Sequence, residues 1–220
     1  MKDREKMAEK CEKKQKNVPT YEYERAASLK GYKYICGIDE AGRGPLAGPV
    51  FAAAVILPLD CEIEGLNDSK KLTEKKREAL FPIIMEKAID YSVASASEKE
   101  IDEINILNAT YLAMNRAFDG LKIKPDYALI DGNRKPSVKA FEETVVKGDA
   151  KSMSIAAASV LAKVSRDRYM LEMAKLYPQY EFERHKGYGT KLHYEKIEEF
   201  GISEIHRRSF LKKIIKGETE

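Results

Sequence analysis

Apolar and polar positions along the chain change rhythm several times. Tyr34 to Asp39 and Val50 to Leu57 are short apolar runs separated by the Gly/Pro-rich stretch Ala41 to Pro49, and they predict two neighbouring strands. Tyr91 to Ser97 reads as a third strand. Tyr127 to Asp131 reads as a fourth, stopped by Gly132-Asn133, and Thr144 to Lys147 as a further short one. Helical spacing of apolar residues marks Thr73 to Asp90, Asn105 to Leu121 and Ser154 to Tyr177, the last ended by Pro178. The chain from Lys191 onward is helical and basic near its end. Strands first, then alternating helices and strands, predict an α/β fold with a mixed sheet and helices on its faces. Residues 1–33 mix basic and acidic groups at helical spacing, with a break at Val18-Pro19, and form a charged helical leader ahead of one catalytic domain, residues 34–220. There is no repeat of the length that builds solenoids.

Composition narrows the class. With 220 residues, 43% hydrophobic and 34% charged, the chain is long enough for one well-cored globular domain and a modest extension. Its formal charge of +3 argues only weakly for a polyanionic partner. The basic excess of the leader could hold a duplex; a solvated helix with internal ion pairs accounts for it more simply. Cys11, Cys36 and Cys61 show no C-x-x-C spacing, which fits a reduced, cytoplasmic compartment. The N-terminus lacks the apolar core of a signal peptide and no segment approaches the length of a membrane helix, so neither export nor a membrane anchor is expected.

The candidate chemistry is carried by carboxylates. Asp39 and Glu40 close an apolar strand where Gly42 and Gly44 allow a sharp turn. Adjacent strand residues point to opposite faces, so both serve one site only if the chain bends between them, as Ala41 to Pro45 would permit. Asp131 is delivered to the end of a second apolar strand, where α/β sheets place ligands. Asp149 sits in a loop before the long helix. Taken singly, each acid is equally well a turn former or helix cap. Gathered together without nearby Cys or His, they would be hard oxygen ligands suited to Mg²⁺ or Mn²⁺ rather than Zn²⁺.

His185, His193 and His206 lack the spacing of a zinc motif and are read as surface or substrate-side residues. The glycines from Gly42 to Gly48 have no Gly-Lys-Ser/Thr after them, so neither a P-loop nor a dinucleotide fold is supported.

The segment Gly37-Ile-Asp-Glu-Ala-Gly-Arg-Gly-Pro-Leu-Ala-Gly-Pro-Val50 resembles the signature of ribonuclease HII. Five later segments agree in order: Leu66 to Lys71, Ala128 to Asn133, Val146 to Asp149, Ser154 to Asp167 and His185 to Thr190. The resemblance runs from about Tyr34 to Phe210. It implies a ribonuclease H-like fold, with a central five-stranded mixed sheet flanked by helices and a helical C-terminal part. It also implies cleavage of the RNA strand of RNA–DNA hybrids and incision 5′ of single ribonucleotides in duplex DNA, leaving 5′-phosphate and 3′-hydroxyl ends. Asp39, Glu40, Asp131 and Asp149 match the family's acidic positions, which implies two Mg²⁺ or Mn²⁺ ions, one activating water and one stabilising the leaving 3′ oxygen. Gly42, Arg43 and Gly44 match its backbone reader of the 2′-hydroxyl, and Tyr188 the aromatic that packs on the neighbouring sugar.

Asn67, Ser69, Lys70, Lys147 and Ser154 are expected phosphate contacts, Ser154 because it lies near a helix start; ordinary capping would also explain it. A non-catalytic duplex-binding module is the first rival, and four acids count against it because carboxylates weaken binding to a polyanion without metal. A different two-metal nuclease or phosphotransferase is the second, and Gly-Arg-Gly with Tyr188 counts against that. Ribonuclease HIII carries a folded N-terminal domain that residues 1–33 are too short to supply. A monomer is expected, and a replication clamp is carried as a partner without a motif to support it.

Overall fold

The computed structural model describes residues 18–212. Its centre is a five-stranded mixed sheet in the order β3-β2-β1-β4-β5. The strands are β1 (Ile35–Ala41), β2 (Val50–Ile56), β3 (Asp90–Ala96), β4 (Tyr127–Asp131) and β5 (Phe141–Val145). β2 lies antiparallel to β1 and β3, while β4 runs parallel to β1 and β5 to β4. The helices are α1 (Glu22–Leu29), α2 (Glu74–Lys87), α3 (Glu98–Asp119), α4 (Met153–Leu176), the single turn α5 (Phe182–His185) and α6 (Lys191–Phe200). This is the expected five-stranded sheet flanked by helices, with a helical C-terminal part.

Strand alternation sorts the core into two layers. Ala53 and Val55 of β2 pack with Leu80 and Ile84 of α2 and with the apolar face of α4. Cys36, Ile38, Ala52, Ala54 and Ile56 point the other way, toward Ala109, Ala113, Ala117 and Phe118 of α3. The small residues of β2 and α4 let the layers approach closely. At Gly37 the approach is tightest, since a Cβ built there would lie 2.2 Å from the backbone carbon of Ser154.

Three boundaries differ from the sequence pattern. The helix expected from Asn105 begins at Glu98, set by a capping box in which the Ser97 hydroxyl accepts from the Glu100 N–H and the Glu100 carboxylate accepts from the Ser97 N–H. Asn105 breaks it with a φ of 66°, and its side chain accepts from the Leu107 and Asn108 amides, so the expected start is the cap of the second half. The last strand is Phe141–Val145 rather than 144–147, because Glu142 and Glu143 mask its alternation and Lys147 already has left-handed backbone. Among the described residues beyond α6 the chain makes a 3₁₀ turn, Arg208–Phe210, and the end of the expected basic helix, residues 213–220, lies outside the described residues.

The described part of the expected leader is integral to the fold. α1 turns Glu24 inward, where its Oε1 accepts from the Ser152 hydroxyl at 2.6 Å and the Ser154 amide at 2.9 Å, at the start of α4. The rest of the leader, residues 1–17, and Cys11 within it lie outside the described residues. No described helix is long and apolar enough to cross a membrane.

Candidate active site

β1 and β4 are neighbours and parallel, so their C-terminal ends open on the same edge of the sheet. β1 brings Asp39 there and β4 brings Asp131. The 3₁₀ turn Gly148–Ala150, between β5 and α4, adds Asp149. Oxygens of Asp39, Asp131 and Asp149 all lie within 4.8 Å of one another. The Gly148 amide donates to Asp131 Oδ1 at 2.6 Å, tying that turn to the strand end.

Glu40 stands outside this group of three. The expected bend after Asp39 does not occur: β1 continues to Ala41, which pairs with Phe51, so Asp39 faces α4 and Glu40 faces α3. Glu40 instead lines a cleft of about 350 Å³ with Arg43, Leu107, Thr110, Asp131 and Arg134. It remains within electrostatic reach of the cluster.

The acids repel one another in a desolvated setting. Burial pushes the Asp39 carboxyl well above its ordinary value, and Glu40 and Asp131 push it further, against hydrogen bonds from the Ser159 hydroxyl and the Glu40 amide. Burial also raises Glu40, with Arg43 pulling it down and Asp131 pushing it up. Asp149 is raised by burial and by Asp131, opposed by Lys70. The Arg43–Glu40 pair spans 3.4 Å and the Lys70–Asp149 pair 3.5 Å. Three oxygen donors held together at this cost could hold a hard divalent cation.

The Gly-Arg-Gly turn follows β1 directly. The chain just after it, at Leu46 and Ala47, rests against the Lys186 to Gly189 loop: Leu46 donates to the Gly187 carbonyl at 2.8 Å, and a Cβ on Gly187 would lie 2.5 Å from the Ala47 oxygen. Tyr188 is 41% exposed, with Lys163 Nζ 5.8 Å and Arg166 Cζ 5.5 Å from its ring centre. Arg166 thus links the two segments implied in sugar recognition, since a Cβ built on Gly42 would lie 2.1 Å from its Nε.

The expected phosphate contacts divide. Lys70 and Lys147 are exposed and Asn67 is half-buried. Ser69 is buried, 2.7 Å from the Ser159 hydroxyl, which in turn favours the charged form of Asp39. Ser154 does not fit the expectation: its side chain is fully buried and its amide is spent on Glu24, while Ser152 is the actual cap of α4. A phosphate cannot reach it.

The histidines also depart from expectation. His185, His193 and His206 are buried, not surface residues. His185 and His193 stack at 4.3 Å, and His193 Nε2 lies 3.0 Å from His206 Nε2. Sequence reasoning passed over Ser159, Arg166 and Arg207 as well. Arg166 lies inside the Ser154 to Asp167 segment that carries the resemblance, but nothing in its neighbours marks it as buried.

Residues 36–213 match the family model described as ribonuclease HII. The chain is 57% identical over 195 residues to the ribonuclease HII of Caldicellulosiruptor bescii, covering 89% of this chain and 95% of that protein. Its fold is similar to the crystal structure of ribonuclease H2 from Pyrococcus horikoshii, with a TM-score of 0.67, 31% identity, and 80% and 93% of the two chains covered. It is also similar to ribonuclease HII from Archaeoglobus fulgidus, solved as a complex with PCNA, with a TM-score of 0.61, 26% identity, and 80% and 94% covered.

Proposed function

The chain belongs to the ribonuclease HII family, and from that premise we propose that it incises duplex DNA 5′ of single embedded ribonucleotides. It is a metal-dependent endonuclease acting on the RNA of RNA–DNA hybrids, as membership of the family implies. The observation that carries the finer reading is the convergence of Asp39, Asp131 and Asp149 at the end of the strand that runs straight into the Gly-Arg-Gly turn, with Arg166 linking that turn to Tyr188. Acids alone would serve many nucleases. A backbone turn of small residues and an aromatic at the same edge suit a site that reads a sugar.

The donor set is all carboxylate, which fits Mg²⁺ or Mn²⁺. Asp39, Asp131 and Asp149 would hold two such ions, with Glu40 as the fourth ligand reaching from the opposite face of the sheet. Ions so held supply Lewis acidity to the phosphodiester and an activated water, leaving 5′-phosphate and 3′-hydroxyl ends.

The chain's own groups set the geometry around that chemistry. The Gly148 amide fixes Asp131, the Glu40 amide fixes Asp39, and the Ser69–Ser159 pair favours the charged form of Asp39 from the α4 side. Lys70, Lys147 and Asn67 take backbone phosphates of the duplex. The Gly42, Arg43 and Gly44 backbone reads the 2′-hydroxyl, and the exposed ring of Tyr188 packs on the neighbouring sugar. A reducing, cytoplasmic setting is supported by the free thiols of Cys36 and Cys61.

The test is cleavage of a labelled DNA duplex holding one ribonucleotide, with Mg²⁺, Mn²⁺ or EDTA, by the natural chain and by Asp131→Asn. Incision 5′ of the ribonucleotide that needs metal and disappears in the variant is the expected result. No incision with either metal would sink the proposal.

A further inference from the structure

Two buried guanidinium groups lie behind the Gly-Arg-Gly turn. Arg166 of α4 and Arg207, after α6, are both fully buried. Arg207 donates to the Gly42 carbonyl through Nη2 at 2.6 Å, to Arg43 through Nη1 at 3.0 Å and to Gly48 through Nε at 2.8 Å. Arg166 donates to the Pro49 carbonyl through Nε at 3.3 Å and to Ala47 through Nη2 at 3.1 Å. Five carbonyls from Gly42 to Pro49 thus converge on two cations.

As a way to stabilise a core, this arrangement is poor. Buried charges are costly, and apolar packing of similar volume is often as good or better. Glu98 acts on both guanidinium groups, with Asp167 acting also on Arg166 and Asp102 on Arg207, yet no acid makes a hydrogen-bonded ion pair with either among the described residues. Arg166 Nη1 and Glu98 Oε1 are both buried without a partner among the described residues. Burial and mutual repulsion push Arg207 down to about 9, so keeping both cations there works against the fold.

The geometry shows what they accomplish. A trans peptide is planar, with its C=O and N–H pointing in opposite directions, and the described chain has no cis peptide. Pinning the Gly42 oxygen inward therefore turns the Arg43 N–H outward, and pinning the Arg43 oxygen does the same for the Gly44 N–H. Neither amide has an acceptor among the described residues. A carbonyl bonded to a cation also polarises its own peptide, which makes the N–H on its far side a stronger donor. Arg166 adds a second link, since its guanidinium lies 5.5 Å from the Tyr188 ring centre and a Cβ on Gly42 would collide with its Nε at 2.1 Å.

We propose that Arg166 and Arg207 are positioning residues for substrate selection, orienting and polarising the Arg43 and Gly44 amides as a paired donor for the ribose hydroxyl and holding Tyr188 in register with it. The proposal rests on the reading above that this turn meets the 2′-hydroxyl. Neither arginine touches substrate.

The experiment compares Arg166→Lys and Arg207→Lys with the natural chain on two duplexes, one with a single ribonucleotide and one with a 2′-deoxy-2′-fluoro nucleotide at the same place. The ratio of kcat/KM between the two should fall roughly tenfold to a hundredfold in each variant. Mn²⁺ binding, followed by electron paramagnetic resonance, should be kept, because the acids are held by other elements. Folded variants with an unchanged ratio would overturn the clamp while leaving the functional reading intact. A natural chain that cuts neither duplex would remove that reading and the clamp with it. Should both variants fail to fold, ¹⁵N relaxation of the natural chain decides: Gly42, Arg43 and Gly44 should show order parameters near about 0.85 without substrate, and values below about 0.6 would overturn the proposal.

Discussion

Lys70 Nζ lies 3.5 Å from Asp149 Oδ2, an ion pair between a side chain 81% exposed and one 5% exposed. So lopsided a pair contributes little to stability, because the lysine gives up hydration and rotamer freedom to hold it. It does place a cation beside the carboxylate cluster. Lys70→Ala should shift unfolding by less than about 1 kcal/mol. At pH 8 it should bind Mn²⁺ several-fold more tightly by calorimetric titration, since a competing charge is gone, while KM for a hybrid duplex rises. Weaker Mn²⁺ binding would show that Lys70 organises the site rather than competes for it.

Asp39 makes the metal-free site a cost to the fold. Its carboxyl is raised above its ordinary value by burial and by its acidic neighbours. A raised carboxyl favours folding most when protonated, so that contribution is lost as pH rises through the raised value. Asp39→Asn is neutral at every pH and keeps an oxygen for the Glu40 amide. At pH 8 without metal it should unfold about 2–4 °C higher, for a gain on the order of 1 kcal/mol. Activity should vanish, and so should the stabilisation that Mg²⁺ or Mn²⁺ gives the natural chain. A variant that melts lower without metal would contradict this.

The histidine cluster fixes its own tautomers. His206 Nδ1 accepts from the Ser203 amide, so His206 carries its proton on Nε2 and donates it to His193 Nε2. His193 is then left to donate from Nδ1 to the Tyr188 carbonyl at 3.0 Å. Burial and the neighbouring imidazole push His193 down to about 4 and His206 to about 3. Depressed histidines favour folding above the unfolded value near 6.5, and that contribution shrinks as pH falls toward the folded values. NMR signals of both imidazoles should stay in their neutral positions from pH 8 to 5. A titration midpoint near 6.5 for either ring would mean the relay is open to water.

Gly37 tests the contact between β1 and α4. An alanine Cβ would meet the Ser154 carbon at 2.2 Å and the Ile155 nitrogen at 2.3 Å, backbone atoms that cannot swing aside. Gly37→Ala should therefore cost at least the roughly 1–3 kcal/mol of ordinary overpacking, read from denaturant unfolding. A cost under about 0.5 kcal/mol would mean that α4 slides freely on the sheet.

Apolar runs made β1, β2 and β4 and the long helix visible, because their apolar residues are buried, whereas Glu142 and Glu143 hid the start of β5. Asp39, Asp131 and Asp149 were legible as candidates for a related reason: two acids follow apolar runs and the third lies in a tight turn beside Gly148. The bend expected after Asp39 is absent, since pairing with Phe51 carries β1 on to Ala41 and puts Glu40 on the other face. Polar burial could not be read locally. His193 is satisfied by Tyr188 and His206, Arg207 by carbonyls in the 42–48 turn, and Glu24 by the start of α4. Each partner is distant in sequence or is a backbone atom common to every residue. Ser154 shows the same limit from the other side, a helix-start serine whose amide was already taken by a glutamate from α1.

The site also hangs on an interior strand that cannot move by itself. β1 is paired along both edges, and α4 bears on it at Gly37, so Asp39 cannot leave its place without parting two ladders at once. Asp131 sits at the end of the adjoining strand, and Asp149 is tied to it through Gly148. Catalytic geometry and global order therefore belong to a single cooperative unit: on gradual heating the molecule should not pass through a folded but disarmed form, and activity and architecture should be lost in one event.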